Sequence, residues 1–175
     1  MRKLLTLGIS GIIAGPALSG PSVAAEMKVS IEVPKLDVAE YHRPYVAAWI
    51  EKPDGSVAAN LSVWYDVKSE NKKGNKWLKD LRQWWRRAGR DLEMPVDGLS
   101  SATRPVGKHP IDLSSSAPAL AELQAGEYEL VVEAAREVGG RELLRIPFKW
   151  PAAAAFSGTA QGKEELGEVA LEIKP

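Results

Sequence analysis

The sequence predicts a mainly β chain folded as an antiparallel two-sheet sandwich with one amphipathic helix. Apolar residues alternate with period two in several short runs, Pro, Asp and Gly punctuate those runs, and only one segment departs to a helical period. A small barrel is the alternative closure of the same strands.

Val29, Ile31 and Val33 alternate with Ser30 and Glu32 and form the first expected strand. Tyr45 to Glu51 is a mostly apolar run, and Leu61, Val63, Tyr65 and Val67 alternate with Ser62, Trp64 and Asp66. Between these two runs lies Lys52-Pro53-Asp54-Gly55. Proline presets φ for the first turn position and glycine tolerates positive φ, so the pair is expected to be a hairpin. Trp77, Leu78, Leu81, Trp84 and Trp85 then recur at helical spacing among Lys79, Asp80, Arg82 and Arg86. This predicts a helix of about three turns over Lys76–Arg87. Arg86, Arg87 and Arg90 suit its C-terminal dipole, and Gly89 is its expected stop. From Asp91 to Ala125 the chain is polar, dotted with proline and weakly periodic, which predicts a long irregular loop of the kind that is usually functional or disordered. Tyr128–Glu133 and Arg141–Trp150 are expected to pair across a turn at Gly139-Gly140. Alternation from Glu168 to Ile173 closes the chain as a last strand.

The N-terminus has the layout of an export signal. Arg2 and Lys3 precede an apolar stretch from Leu4 to Ala14, Pro16 and Gly20 break any helix, and Val23-Ala24-Ala25 places small residues before a cleavage point at Glu26. The stretch falls short of the roughly 20 apolar residues a membrane span needs. The expected organisation is a signal peptide at 1–25 and a single periplasmic domain at 26–175, with no membrane span of its own in the mature form. Removing Arg2 and Lys3 leaves 21 basic residues against 23 acidic ones, a formal net charge of −2. No basic excess draws the chain to nucleic acid. The absence of cysteine excludes disulfides, iron–sulfur clusters, thiolate zinc sites and a cysteine nucleophile. With only His42 and His109, a histidine-rich metal site is not expected, and both are read as surface residues. No Gly-x-Ser-x-Gly elbow, dinucleotide fingerprint or phosphate-binding glycine loop occurs. Glu164-Glu165 reads as part of a solvated charged loop.

One stretch carries chemistry: Asp97-Gly98-Leu99-Ser100-Ser101-Ala102-Thr103. It resembles the flavinylation motif recognised by FAD:protein FMN transferases, and that resemblance implies an acceptor hydroxyl at Thr103 that attacks phosphorus once the transferase supplies a base and a metal. Ala102, Ser101 and Ser100 are small enough for a loop to enter a foreign cleft. Asp97 is a carboxylate for that enzyme to grip, and Gly98 and Pro105 favour an irregular, exposed backbone. The stretch resembles the flavinylation motif of the FMN-carrying subunits of the sodium-pumping NADH:quinone reductase, with Ser101 standing where glycine is commoner. Ser157-Gly158-Thr159-Ala160 has similar letters in the wrong order and lacks a preceding Asp. The resemblance implies one FMN joined to Thr103 by a phosphodiester, attached by a FAD:protein FMN transferase. Arg104 stands ready to pair with the phosphodiester. Trp77, Trp84 and Trp85 offer an aromatic platform for the isoalloxazine ring; Trp77 and Trp84 share a face with Leu81 and are expected in the core, whereas Trp85 lies nearer the edge.

Three longer stretches, 43–51, 76–86 and 126–137, are similar to a family of bacterial periplasmic proteins of unassigned function, encoded beside PepSY-type membrane proteins and flavin transferases. That resemblance implies an immunoglobulin-like sandwich and a PepSY-type membrane redox partner. The expected role is a redox carrier rather than an autonomous enzyme. The alternative is a cofactor-free immunoglobulin-like binding or accessory module of a PepSY-linked periplasmic system, metal uptake among the candidates. Protein recovered from the periplasm is expected to begin at Glu26, and an N-terminal mass that retains Met1 would contradict the export reading.

Overall fold

The computed structural model describes residues 25–114 and 117–175, so the expected signal segment lies outside the described residues except for Ala25. The strands are β1 (Glu26–Val33), β2 (Tyr45–Glu51), β3 (Val57–Tyr65), β4 (Ser100–Ala102), β5 (Gly107–Ser114), β6 (Gly126–Ala135), β7 (Arg141–Trp150), β8 (Phe156–Gln161) and β9 (Glu168–Lys174). They form a four-stranded sheet, β5-β1-β9-β8, and a five-stranded sheet, β4-β3-β2-β6-β7. Both sheets are open, which makes the fold a β-sandwich and not a barrel.

The period-two runs place one face of each strand inward. Met27, Val29, Ile31 and Val33 of β1 meet Val169, Leu171 and Ile173 of β9 in the core between the sheets. Val46, Ala48 and Ile50 of β2 and Leu130, Val132 and Ala134 of β6 enter that core from the other sheet. Each fully buried valine, leucine, isoleucine or methionine among them contributes about 1.5–3 kcal/mol. The opposite face of the five-stranded sheet is also covered. Ala47, Trp49, Val63, Tyr65 and Val131 pack there against Leu78, Leu81 and Trp84. Burial on both faces explains why Tyr45–Glu51 is apolar nearly throughout instead of alternating. The hairpins β2–β3 and β6–β7 form as expected, with Gly55 at φ +77° in the first turn.

Two expectations are corrected. The Lys76–Arg87 helix is not continuous: a 3-10 stretch, Glu70–Asp80, itself broken at Asn71 and Lys72 where φ is positive, leads through Leu81 to a short α-helix, α1 (Arg82–Arg87). Leu78, Leu81 and Trp84 still share the sheet-facing side, because spacing by three suits a 3-10 turn as well as an α-helix. Trp77 falls outside this stripe and is exposed. Second, the stretch 91–125 is not one irregular loop; it contains β4, β5 and a short helix, α2 (Pro118–Ala121). In β5 the half-buried positions Gly107, His109, Ile111 and Leu113 alternate with exposed ones, a weak apolar signal typical of an edge strand, where Pro110 is also tolerated. The sheets are mostly antiparallel as expected; among the described residues only β4 and β3 pair in parallel, with Tyr65 opposite Ala102.

The outer layer is pinned by charge. Glu133 on β6 is fully buried. Its carboxylate accepts hydrogen bonds from the backbone N–H of Gln83 at 3.0 Å and of Trp84 at 2.8 Å, and pairs with Arg141 Nη1 at 2.8 Å. These are first-turn donors of α1, whose N-cap Leu81 offers no side-chain acceptor. Glu142 plays a similar part in the loop before β9. Its oxygens accept the N–H groups of Lys163, Glu164, Glu165 and Leu166 at 2.7–3.0 Å. Burial pushes the Glu142 carboxyl up, but the four donors together outweigh it and hold it below its ordinary value of 4.5.

Glu133→Ala is expected to cost about 3 kcal/mol in urea unfolding, because it leaves two helix N–H groups without an acceptor and opens a gap under α1; a loss below about 1 kcal/mol would refute this account of the outer layer. The stabilisation from ionised Glu142 is present above pH 4.5 and is lost as the pH falls through its lower folded-state value. Glu142→Gln should therefore flatten the acid limb of the stability curve, and an unchanged limb would contradict the assignment.

Candidate functional site

At one end of the five-stranded sheet, the ends of β3, β4 and β6 meet the beginnings of β2 and β7. The 3-10 stretch passes over this end, and the β6–β7 turn closes one side. Between them is a cleft of about 650 Å³. Thr103, the residue immediately after β4, lines it and is half-buried.

The cleft is rich in cations. Arg43, Lys73, Arg82, Arg136 and Arg141 line it against Asp66, Asp80 and Glu137. Arg141 is committed to Glu133. Arg136 is held by Glu165 through Nε at 2.8 Å and Nη2 at 3.1 Å, with side-chain exposures of 6% and 4% for the two partners. Glu165 also accepts the Gly140 N–H at 2.7 Å. This corrects the expectation of a solvated Glu164-Glu165 pair, since Glu165 is a buried structural carboxylate. Arg136 Nη1 is buried and has no hydrogen-bond partner. Among the described residues, Arg43, Lys73 and Arg82 form no salt bridge.

Tyr45 and Trp77 supply the aromatic lining. The Tyr45 hydroxyl donates to the Gly74 carbonyl at 3.4 Å. Burial pushes its phenol above the ordinary 10.0, with the Asp66 and Glu137 carboxylates adding to the effect, so the hydroxyl remains a donor at neutral pH. His42 also lines the cleft and meets Glu40 at 2.8 Å.

The motif around Thr103 has a definite local form. Asp97 and Gly98 are exposed in a tight turn, with Gly98 at φ +75°, a conformation that favours glycine. Leu99 and Ser100 N–H donate to the Val96 carbonyl, and the Ser100 hydroxyl accepts the Val96 N–H at 2.9 Å. Ser100 thus ties the turn together. Ser100, Ser101 and Ala102 then form β4, against the expectation of a wholly irregular exposed loop, and Ser101 pairs in register with Trp64. The Ser101 hydroxyl is buried without a partner.

Arg104 and Trp85, expected at the cofactor, make side-chain contacts outside the cleft. Arg104 is exposed, with its guanidinium 5.5 Å over the Trp64 ring. His109 meets the same indole edge-on at 5.8 Å, and its Nε2 lies 2.7 Å from the Pro105 carbonyl. Neither Arg104 nor Trp85 lines the cleft. Trp85 packs tilted against Trp84, with centroids 6.4 Å apart, at the margin of the outer core. The large aromatic at the cleft is Trp77, expected in the core and 41% exposed. The lining cations are scattered from Arg43 to Arg141, and no local pattern marks them as partners of Thr103.

The model of a family described as predicted periplasmic protein, DUF2271, matches residues 26–168. The chain belongs to the DUF2271 family. It is a periplasmic protein. No curated protein and no solved structure matches it. No helix among the described residues of this DUF2271 protein is long and apolar enough to cross a membrane, and no cluster of potential metal ligands occurs among them.

Proposed function

We propose that this DUF2271 protein is a periplasmic electron carrier that holds one FMN in phosphodiester linkage to Thr103. A FAD:protein FMN transferase would attach it, and a PepSY-type membrane protein would exchange electrons with it. The carrying observation is that the residue matching the motif's acceptor position lines the cation-rich cleft.

The residues fit the group. A cleft of about 650 Å³ falls within the range of about 300–1,000 Å³ usual for small-molecule sites. Arg43, Lys73 and Arg82, free of salt bridges among the described residues, suit a phosphate and an anionic ring system. The unpartnered Nη1 of Arg136 adds a buried donor with no acceptor. Exposed Asp97 and the irregular segment after Thr103 offer the transferase a handle and an approach.

In the attachment step, Thr103 Oγ bonds to the FMN-side phosphorus of FAD as the pyrophosphate P–O bond breaks. AMP leaves, and the hydroxyl proton passes to a base of the transferase. The bound flavin supplies reversible electron uptake, and the tether prevents loss of a cofactor that is not made outside the cytoplasm.

Incubation with transferase, FAD and Mg²⁺ should add the mass of one FMN less one water, on the peptide spanning Asp97 to Thr103. Thr103→Ala should abolish labelling and Thr103→Ser retain part of it. Asp97→Ala should slow labelling while changing stability by less than about 0.5 kcal/mol, since its side chain is exposed. Wild-type protein that stays colourless with a competent transferase would defeat this reading and leave the cofactor-free accessory module.

A further inference from the structure

The path of the 3-10 stretch determines which aromatic faces a ligand held at Thr103. The stretch leaves β3 near Asp66, where Gly74 packs against the Asp66 carbonyl. It passes β2, where Tyr45 bonds to Gly74, and reaches β6, where Glu133 takes the N–H groups of Gln83 and Trp84. Trp77 lies between those anchor points in the chain and lines the cleft together with Thr103. Thr103 lies at the side of the sheet end, just beyond the pairing of Ala102 with Tyr65. Strands are spaced by about 4.8 Å, so two spacings separate Thr103 from the middle of this crossing by about 10 Å. That is a distance for the ribityl chain to bridge, with the phosphate at the threonine and the ring beyond it.

We propose that a flavin tethered at Thr103 lays its isoalloxazine ring against Trp77, an assignment that rests on the covalent reading above. Trp77 is 41% exposed on the cleft wall, an unusual exposure for so large an apolar ring. Its electron-rich face already draws the Lys76 ammonium to 4.9 Å from the centroid. The ring has a second face, and its electron-rich π system suits the electron-poor oxidised isoalloxazine. Lys73 and Arg82 on the same wall suit the negative charge a flavin gains on reduction. Trp85 is occupied by its packing on Trp84, and Tyr45 is engaged with Gly74.

The test compares flavin fluorescence of the intact labelled protein with that of its proteolytically released flavinyl peptide, in wild type, Trp77→Ala, Trp77→Phe and Trp85→Ala. A stacked indole quenches flavin emission. Wild type and Trp85→Ala are expected to be several-fold dimmer than the peptide, Trp77→Ala close to it, and Trp77→Phe intermediate. Wild type as bright as the peptide, or quenching that survives Trp77→Ala, would overturn the assignment while leaving covalent attachment intact. The unmodified protein supplies a second measurement, the anisotropy of added free FMN. Trp77→Ala should weaken that binding by at least about threefold, and Trp85→Ala should leave it unchanged. Failure of labelling with a Trp77-dependent anisotropy change would sink the tether and keep the ring site. Equal anisotropy in wild type and Trp77→Ala would sink the ring site.

Discussion

The outer layer of this sandwich depends on the buried carboxylate of Glu133. A charge without exposure is tolerated only when its oxygens are saturated, since desolvation costs several kcal/mol per ion. Here the donors are two N–H groups of a short helix with no cap of its own and an arginine from the neighbouring strand. The sheet therefore caps the helix, and the helix satisfies the sheet. Glu51 follows the same logic nearby. It accepts from Trp49 Nε1 at 2.9 Å and pairs with Arg145, which also reaches Glu129. Charged side chains on this face are as much a part of its packing as Trp49 and Trp84.

That anchoring has a consequence for the cleft. With α1 pinned over β6 and Gly74 pressed against the end of β3, the 3-10 stretch must span the end of the sheet. It covers Val63, Tyr65 and Trp49 but leaves the strand ends open beneath it. Cations converge there because the chain enters β2 through Arg43, leaves β6 through Arg136 and enters β7 at Arg141. Glu165, reaching over from the loop before β9, locks one of them against the β6–β7 turn. Proximity of like charges is tolerable because Glu133 and Glu165 each neutralise one arginine and Asp66, Asp80 and Glu137 share the lining with Arg43, Lys73 and Arg82.

Strands with one strongly apolar face were legible as sequence. β1 and β9 alternate cleanly because their outer face meets solvent, while β2 is apolar almost throughout because both its faces are covered. β5 and β8 escaped because edge strands bury little. Their inward positions include Gly107, His109, Gly158 and Ala160, small or polar residues that leave no apolar period to read. Gly158 is small for a reason invisible locally, since a Cβ there would come within 2.8 Å of Ile146. The tryptophan-rich segment was legible as amphipathic but not as broken, because residues spaced by three satisfy two kinds of helix. Within the motif, the Asp97-Gly98 turn was readable from glycine chemistry, whereas its continuation as a parallel strand was not.

The sequence by itself determined the sandwich class, the two hairpins and the order of the Asp97–Thr103 motif. Each is a property of a few consecutive residues, expressed through backbone dihedrals and the alternation of side chains about a strand. Tertiary structure alone decided that Thr103 opens onto a cleft lined by charged side chains of both signs, that Trp77 and not Trp85 lines it, and that Glu165 is buried. Those outcomes depend on contacts between segments far apart in the chain, such as Glu133 with Gln83 and Arg136 with Glu165. No local period encodes which distant charge will arrive to satisfy a buried group, so the site became visible only when the strands were laid side by side.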